Sequence, residues 1–121
     1  MHELGIMTGV MDAVCESARA NNALRVTRVD MSIGEMTEAI QDALDFAFEA
    51  LRDLPEYELC KDAQLNITMV RCKSHCLECD SEYVHDRFHM LCPNCGSFAT
   101  EMVAGKELQI DSIEVDLPDE D

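Results

Sequence analysis

A chain of 121 residues with 47% hydrophobic content has room for one ordinary domain, or for a small core plus a metal-stapled insert, and not for two full cores. Against 9 Lys and Arg stand 25 Asp and Glu, and the net charge of −16 repels phosphate backbones, which excludes nucleic acid as a natural partner. No apolar run approaches the roughly 20 residues of a membrane helix, and the opening segment, with His2, Glu3 and Asp12, is not a signal peptide. The cysteine count of 7 is odd, and the Cys-x2-Cys pairs suit a metal site in a reducing cytoplasm better than a secreted disulfide framework.

In chain order, Leu4, Met7, Val10, Met11, Val14 and Ala18 recur at helical spacing, which predicts a first helix from almost Met1 to a stop at Asn21 and Asn22. Val29, Met31 and Ile33 then alternate with Arg28, Asp30 and Ser32 as in a half-buried strand ended by Gly34. Thr37 is the expected N-cap of a second helix whose apolar face is Ile40, Leu44, Ala47, Phe48 and Leu51, ending before Pro55. A loop carries Tyr57 and Cys60, and residues 63–70 make a second strand through Leu65, Ile67 and Met69. From Cys72 to about Met102 no period is sustained, as expected of a metal-organised segment. A last strand starts at Lys106. Its apolar residues change parity between Ile110 and Ile113, which calls for a bulge or bend near Asp111 and Ser112.

The expected fold is α+β, with two helices packed on a small, about three-stranded sheet and an inserted zinc-ribbon-like subdomain built on four cysteines. The second and last strands, which flank the insert, could pair directly. The division is 1–71 plus 105–121 for the α+β domain and 72–104 for the insert.

The insert carries the clearest chemistry. Cys76 and Cys79, then twelve residues, then Cys92 and Cys95 are two knuckles at zinc-site spacing, helped by Pro93 ahead of the second turn and Gly96 after it. Four thiolates around zinc close the shell and leave no open position, so the site is structural rather than catalytic. A redox dithiol and an iron–sulfur centre are the competing readings, with zinc ahead of both. Cys72 sits where it could compete with Cys76, although the symmetric pairing favours Cys76 and Cys79. Cys15 and Cys60 read as isolated packing thiols, and His75, His85 and His89 as solvated loop residues.

A second donor set lies at the start. The Met1 amine, the His2 amide and a His2 ring nitrogen close adjacent five- and six-membered chelate rings, and the Glu3 amide could complete a tetragonal nitrogen set suited to Ni²⁺ or Cu²⁺. First-turn amides have no intrahelical carbonyl partner and are free for such use.

Met1-His2-Glu3-Leu4, Ile33-Gly34-Glu35, Phe46-Ala47-Phe48-Glu49, both cysteine knuckles, Gly105-Lys106-Glu107-Leu108 and Ile110 to Val115 together resemble the HypA/HybF hydrogenase nickel-incorporation proteins over essentially the whole chain. The resemblance implies a non-enzymatic, cytoplasmic nickel metallochaperone. Its nickel would be held by Met1, His2 and the Glu3 backbone, and its zinc by Cys76, Cys79, Cys92 and Cys95. The implied partners are a nickel-binding maturation GTPase, the large subunit of [NiFe]-hydrogenase and, in some members, urease maturation proteins. Departures fall in loops: Thr37-Glu38, Arg71 and the segment from Pro55 to Asp62. Two alternatives remain on the residues alone, an acidic zinc-ribbon adaptor without nickel transfer and a thiol oxidoreductase.

Overall fold

The computed structural model describes residues 2–119, in the order α1 (His2–Ala20), β1 (Arg25–Gly34), a 3-10 turn at Glu35–Thr37, α2 (Gln41–Arg52), a 3-10 segment at Pro55–Cys60, β2 (Gln64–Val70), β3 (Cys72–Cys76), β4 (Glu82–His85), β5 (Thr100–Ala104) and β6 (Leu108–Asp116). One three-stranded sheet has the order β2-β1-β6 and a second the order β4-β3-β5. The chain divides into two compact units. One holds the chain up to Met31, Ala39–Ile67 and everything from Ile110; the other holds Ser32–Glu38 and Thr68–Gln109.

In the first unit, α1 buries Met7, Val10, Met11, Val14, Cys15 and Ala18, and α2 buries Leu44, Ala47, Phe48 and Leu51, the stripes their spacing dictates except for Leu4 and Ile40, which are exposed, Ile40 lying just ahead of α2. Each large side chain so removed from water stabilises the fold by about 1.5–3 kcal/mol. The end of α1 is a left-handed cap: Asn22 takes φ 56, the Ala23 N–H reaches the Ala18 carbonyl at 2.9 Å and the Asn22 N–H reaches that of Arg19 at 3.1 Å. Val26 and Val29, three residues apart, are both fully buried, so β1 changes parity near Thr27 and Arg28. In β6, Ile110, Ile113 and Val115 are all half-buried, which puts a parity change across Asp111 and Ser112. On the polar side of this unit, Asp30 accepts from Arg28 Nε at 2.8 Å, Asn66 Nδ2 at 3.1 Å and Ser112 Oγ at 3.1 Å, tying residues of all three strands.

Several expectations need correction. β2 and β6 do not pair, because β1 lies between them. Thr37 does not cap α2. Its hydroxyl donates to the Gly34 carbonyl at 2.8 Å within the 3-10 turn, the left-handed Glu38 (φ 62) turns the chain, and the N-cap residue is Ile40. Cap chemistry comes instead from another helix: the Ile40 N–H donates to the carboxylate of Glu3 at 3.3 Å. The segment around Tyr57 and Cys60 is 3-10 structure with both side chains buried, and the Tyr57 hydroxyl donates to Asp12 at 2.7 Å.

In the second unit, β3 pairs antiparallel with β4 and with β5, with a register shift between Lys73 and Ser74. The insert is thus a sheet where no period could be read. Gly34 is required here because a side chain would collide with the Gly105 carbonyl and the Glu107 amide.

Candidate metal centres

The two cysteine knuckles are built alike. Cys76 N–H donates to the Ser81 carbonyl at 2.8 Å and Asp80 N–H to the Cys76 carbonyl at 3.0 Å; Cys92 N–H donates to the Ser97 carbonyl at 3.2 Å and Gly96 N–H to the Cys92 carbonyl at 2.8 Å. Each turn puts a left-handed residue just past its second cysteine, Asp80 with φ 65 and Gly96 with φ 73. Glycine made the second position visible in the sequence, whereas aspartate hid the first.

These turns bring the sulfurs of Cys76, Cys79, Cys92 and Cys95 within 4.8 Å of one another, with Cys76–Cys95 at 3.6 Å and Cys79–Cys92 at 3.5 Å. Tetrahedral ligation at about 2.3 Å requires sulfur–sulfur edges of roughly 3.8 Å, so the cradle fits a zinc ion. Charge argues the same way. The Ser81 hydroxyl, the Asn94 side chain and the Ser81 N–H pull the Cys79 thiol down to about 5. Against the Ser97 N–H, which favours its thiolate, the neighbouring Cys76 sulfur and burial push Cys95 up to about 12. Four sulfurs so close cannot all be thiolates unless a cation sits among them.

Cys72 lies outside this group. Buried at the start of β3, its thiol donates to Glu35 Oε2 at 3.6 Å, and burial followed by the Glu35 charge pushes its pKa up. Nor are Cys15 and Cys60 isolated: their sulfurs meet at 3.7 Å in the core of the first unit. The histidines also differ from expectation. His85 is buried, with Nδ1 2.6 Å from the Asp86 carbonyl and Nε2 2.7 Å from the Ser74 hydroxyl. A carbonyl only accepts, so Nδ1 carries a proton, and in the neutral ring Nε2 accepts from Ser74. His75 is half-buried on β3 with Nε2 2.8 Å from Asp80 Oδ1, and only His89, beside Asp86, is an exposed loop residue.

At the other end, Met1 lies outside the described residues. His2 opens α1 with its side chain 55% exposed and Nε2 3.7 Å from Glu3 Oε2. Glu3 is buried, and its carboxyl is held below the usual range by its own N–H and then by the Ile40 N–H.

A family model described as hydrogenase/urease nickel incorporation, metallochaperone, HypA matches residues 1–115. The hydrogenase maturation factor HypA of Rhizobium leguminosarum bv. viciae is 36% identical over 115 residues, covering 95% of this chain and 99% of that protein. The HypA of Aquifex aeolicus is 31% identical over 117 residues, covering 97% and 99%. The solution structure of the Ni metallochaperone HypA from Helicobacter pylori superposes with a TM-score of 0.68 at 27% identity, covering 98% of this chain and all of that one. A second solution structure of a HypA protein gives 0.70 at 28%, covering 95% and 96%. With its cysteine cradle, His2 at the start of α1 and a family match spanning both, this chain belongs to the HypA family of hydrogenase/urease nickel-incorporation metallochaperones.

Proposed function

We propose that this chain is a cytoplasmic, non-enzymatic nickel metallochaperone that delivers Ni²⁺ for maturation of [NiFe]-hydrogenase, working with a nickel-binding GTPase and the hydrogenase large subunit, and with urease maturation proteins where those are present. The observation that carries the reading is His2, exposed at the first turn of α1 and next to a buried Glu3. Nickel is the cargo. It is held by the Met1 amine, the His2 amide and a His2 ring nitrogen, with the Glu3 amide as fourth donor. A six-membered ring from the His2 amide uses Nδ1, which leaves Nε2 facing the Glu3 carboxylate at 3.7 Å. Nickel leaves by ligand exchange, as donors on a partner or acceptor replace the weaker ones.

Cys76, Cys79, Cys92 and Cys95 would hold zinc, which when bound completes a closed tetrahedral shell and organises the insert. On this reading residues 1–71 with 105–121 form the nickel domain and 72–104 the zinc domain. The test is an N-terminal extension: residues placed ahead of Met1 move the amine away from His2. The nickel absorption spectrum should change, while spectra identical with and without the extension would show that the amine is not a ligand.

A further inference from the structure

Phe46 has no part in the fold or in either metal site, yet it stands 73% exposed on α2. The helix's need for an apolar face is already met by Leu44, Ala47, Phe48 and Leu51, all buried. Ala43 and Ala50 lie one turn before and after Phe46, so a narrow second apolar stripe runs along the outer side. Acids flank it: Asp42 one turn before, Asp45 adjacent, Glu49 one turn after. Their crowding is visible in Asp45, whose carboxyl is pushed up by burial, then by Asp42 and Glu49. Arg52, the basic residue of the helix's last turn, is turned away, donating to the Ala63 carbonyl at 2.8 Å and lying over the Phe48 ring.

We infer that this outer face of α2 is the docking surface for a partner protein that offers an apolar pocket rimmed by Lys and Arg. An aromatic anchor ringed by carboxylates is complementary to such a pocket. A second copy of this chain is disfavoured, because two molecules of net charge −16 would meet acid to acid. The start of α2 lies beside the proposed nickel donor. Ile40, 63% exposed and immediately ahead of α2, gives its N–H to the Glu3 carboxylate, which lies 3.7 Å from His2. A protein that covers the outer face and reaches the start of α2 would come beside His2, a placement that rests on the nickel reading of His2.

The experiment titrates the full-length zinc- and nickel-loaded chain with the purified maturation GTPase proposed above, by calorimetry at low and high ionic strength. Phe46→Ser should weaken association about tenfold or more, the loss expected of an anchor residue. Nickel affinity and far-UV circular dichroism should stay unchanged. Affinity of the unsubstituted chain should fall with salt, and a variant with Asp42→Asn, Asp45→Asn and Glu49→Gln should lose most of that dependence. His2→Ala should lose nickel and keep docking, so failure of the nickel reading and failure of the docking surface are told apart. Association unaffected by Phe46→Ser, no association of the unsubstituted chain, or a Phe46-dependent self-association in sedimentation would each overturn the inference.

Discussion

Removing zinc should unfold the insert and leave the helical unit standing. Among the described residues between Cys72 and Ala104, the buried side chains are Cys72, Ser74, Cys76, His85 and Cys92. No Leu, Val, Met or Phe is among them, and Leu77, Val84, Phe88 and Phe98 are all more than half exposed. A large apolar side chain contributes about 1.5–3 kcal/mol when fully buried, and this segment has none to offer. Structural zinc contributes on the order of 10–16 kcal/mol, as much as the whole net stability of a typical domain. The first unit, by contrast, buries Met7, Met11, Val14, Val26, Val29, Met31, Leu44 and Phe48 completely or nearly so. Stoichiometric chelation followed by hydrogen exchange should strip amide protection from β3, β4 and β5, while α1 and α2 keep theirs and the helical circular dichroism persists. Protection surviving in β3–β5 after verified zinc loss, or α1 and α2 melting in step with it, would refute the reasoning.

Three further outcomes follow from particular contacts. The Asp30 carboxyl is held below its ordinary value by Arg28, Asn66 and Ser112, so its contribution is present above about pH 4 and lost as pH falls through the lowered value. Thermal melts of Asp30→Asn should therefore show a deficit near neutral pH that shrinks toward pH 3, and a deficit constant with pH would contradict this. Burial and the neighbouring Cys15 push Cys60 up to about 12. Mass spectrometry after alkylation of the folded protein at neutral pH should find Cys60 unmodified, where rapid labelling would mean that the core opens readily. At Gly96, with φ 73 and open space around it, Val should weaken zinc retention by about 1–2 kcal/mol in chelator competition, through backbone strain alone. Asn should cost less, since Asp80 already adopts the same conformation in the first knuckle; equal losses for both would argue against strain.

Helical spacing exposed both helices, and the knuckles were visible because Cys-x2-Cys is a local device, sharpened at the second knuckle by the trailing Gly96. What was hidden depended on residues far apart in the chain. The start of α2 was misplaced to Thr37 because the carboxylate serving its first turn belongs to Glu3, on another helix. The parity change in β6 showed in Ile110 and Ile113, whereas the one in β1 was masked by Thr27 and Arg28, which carry no apolar signal. His85 was read as solvated because nothing local announces that Ser74, across the ladder, will satisfy its ring. Cys15 and Cys60, 45 residues apart, gave no hint of their contact.

The central claim is that two metals occupy two separate sites, nickel at the N-terminus and zinc in the cysteine cradle. Metal analysis with nickel titration of the native-start protein beside its His2→Ala form tests this most directly. One tight nickel and one zinc are expected per native chain, and His2→Ala should lose the nickel and keep the zinc. Unchanged nickel affinity in His2→Ala would contradict the account.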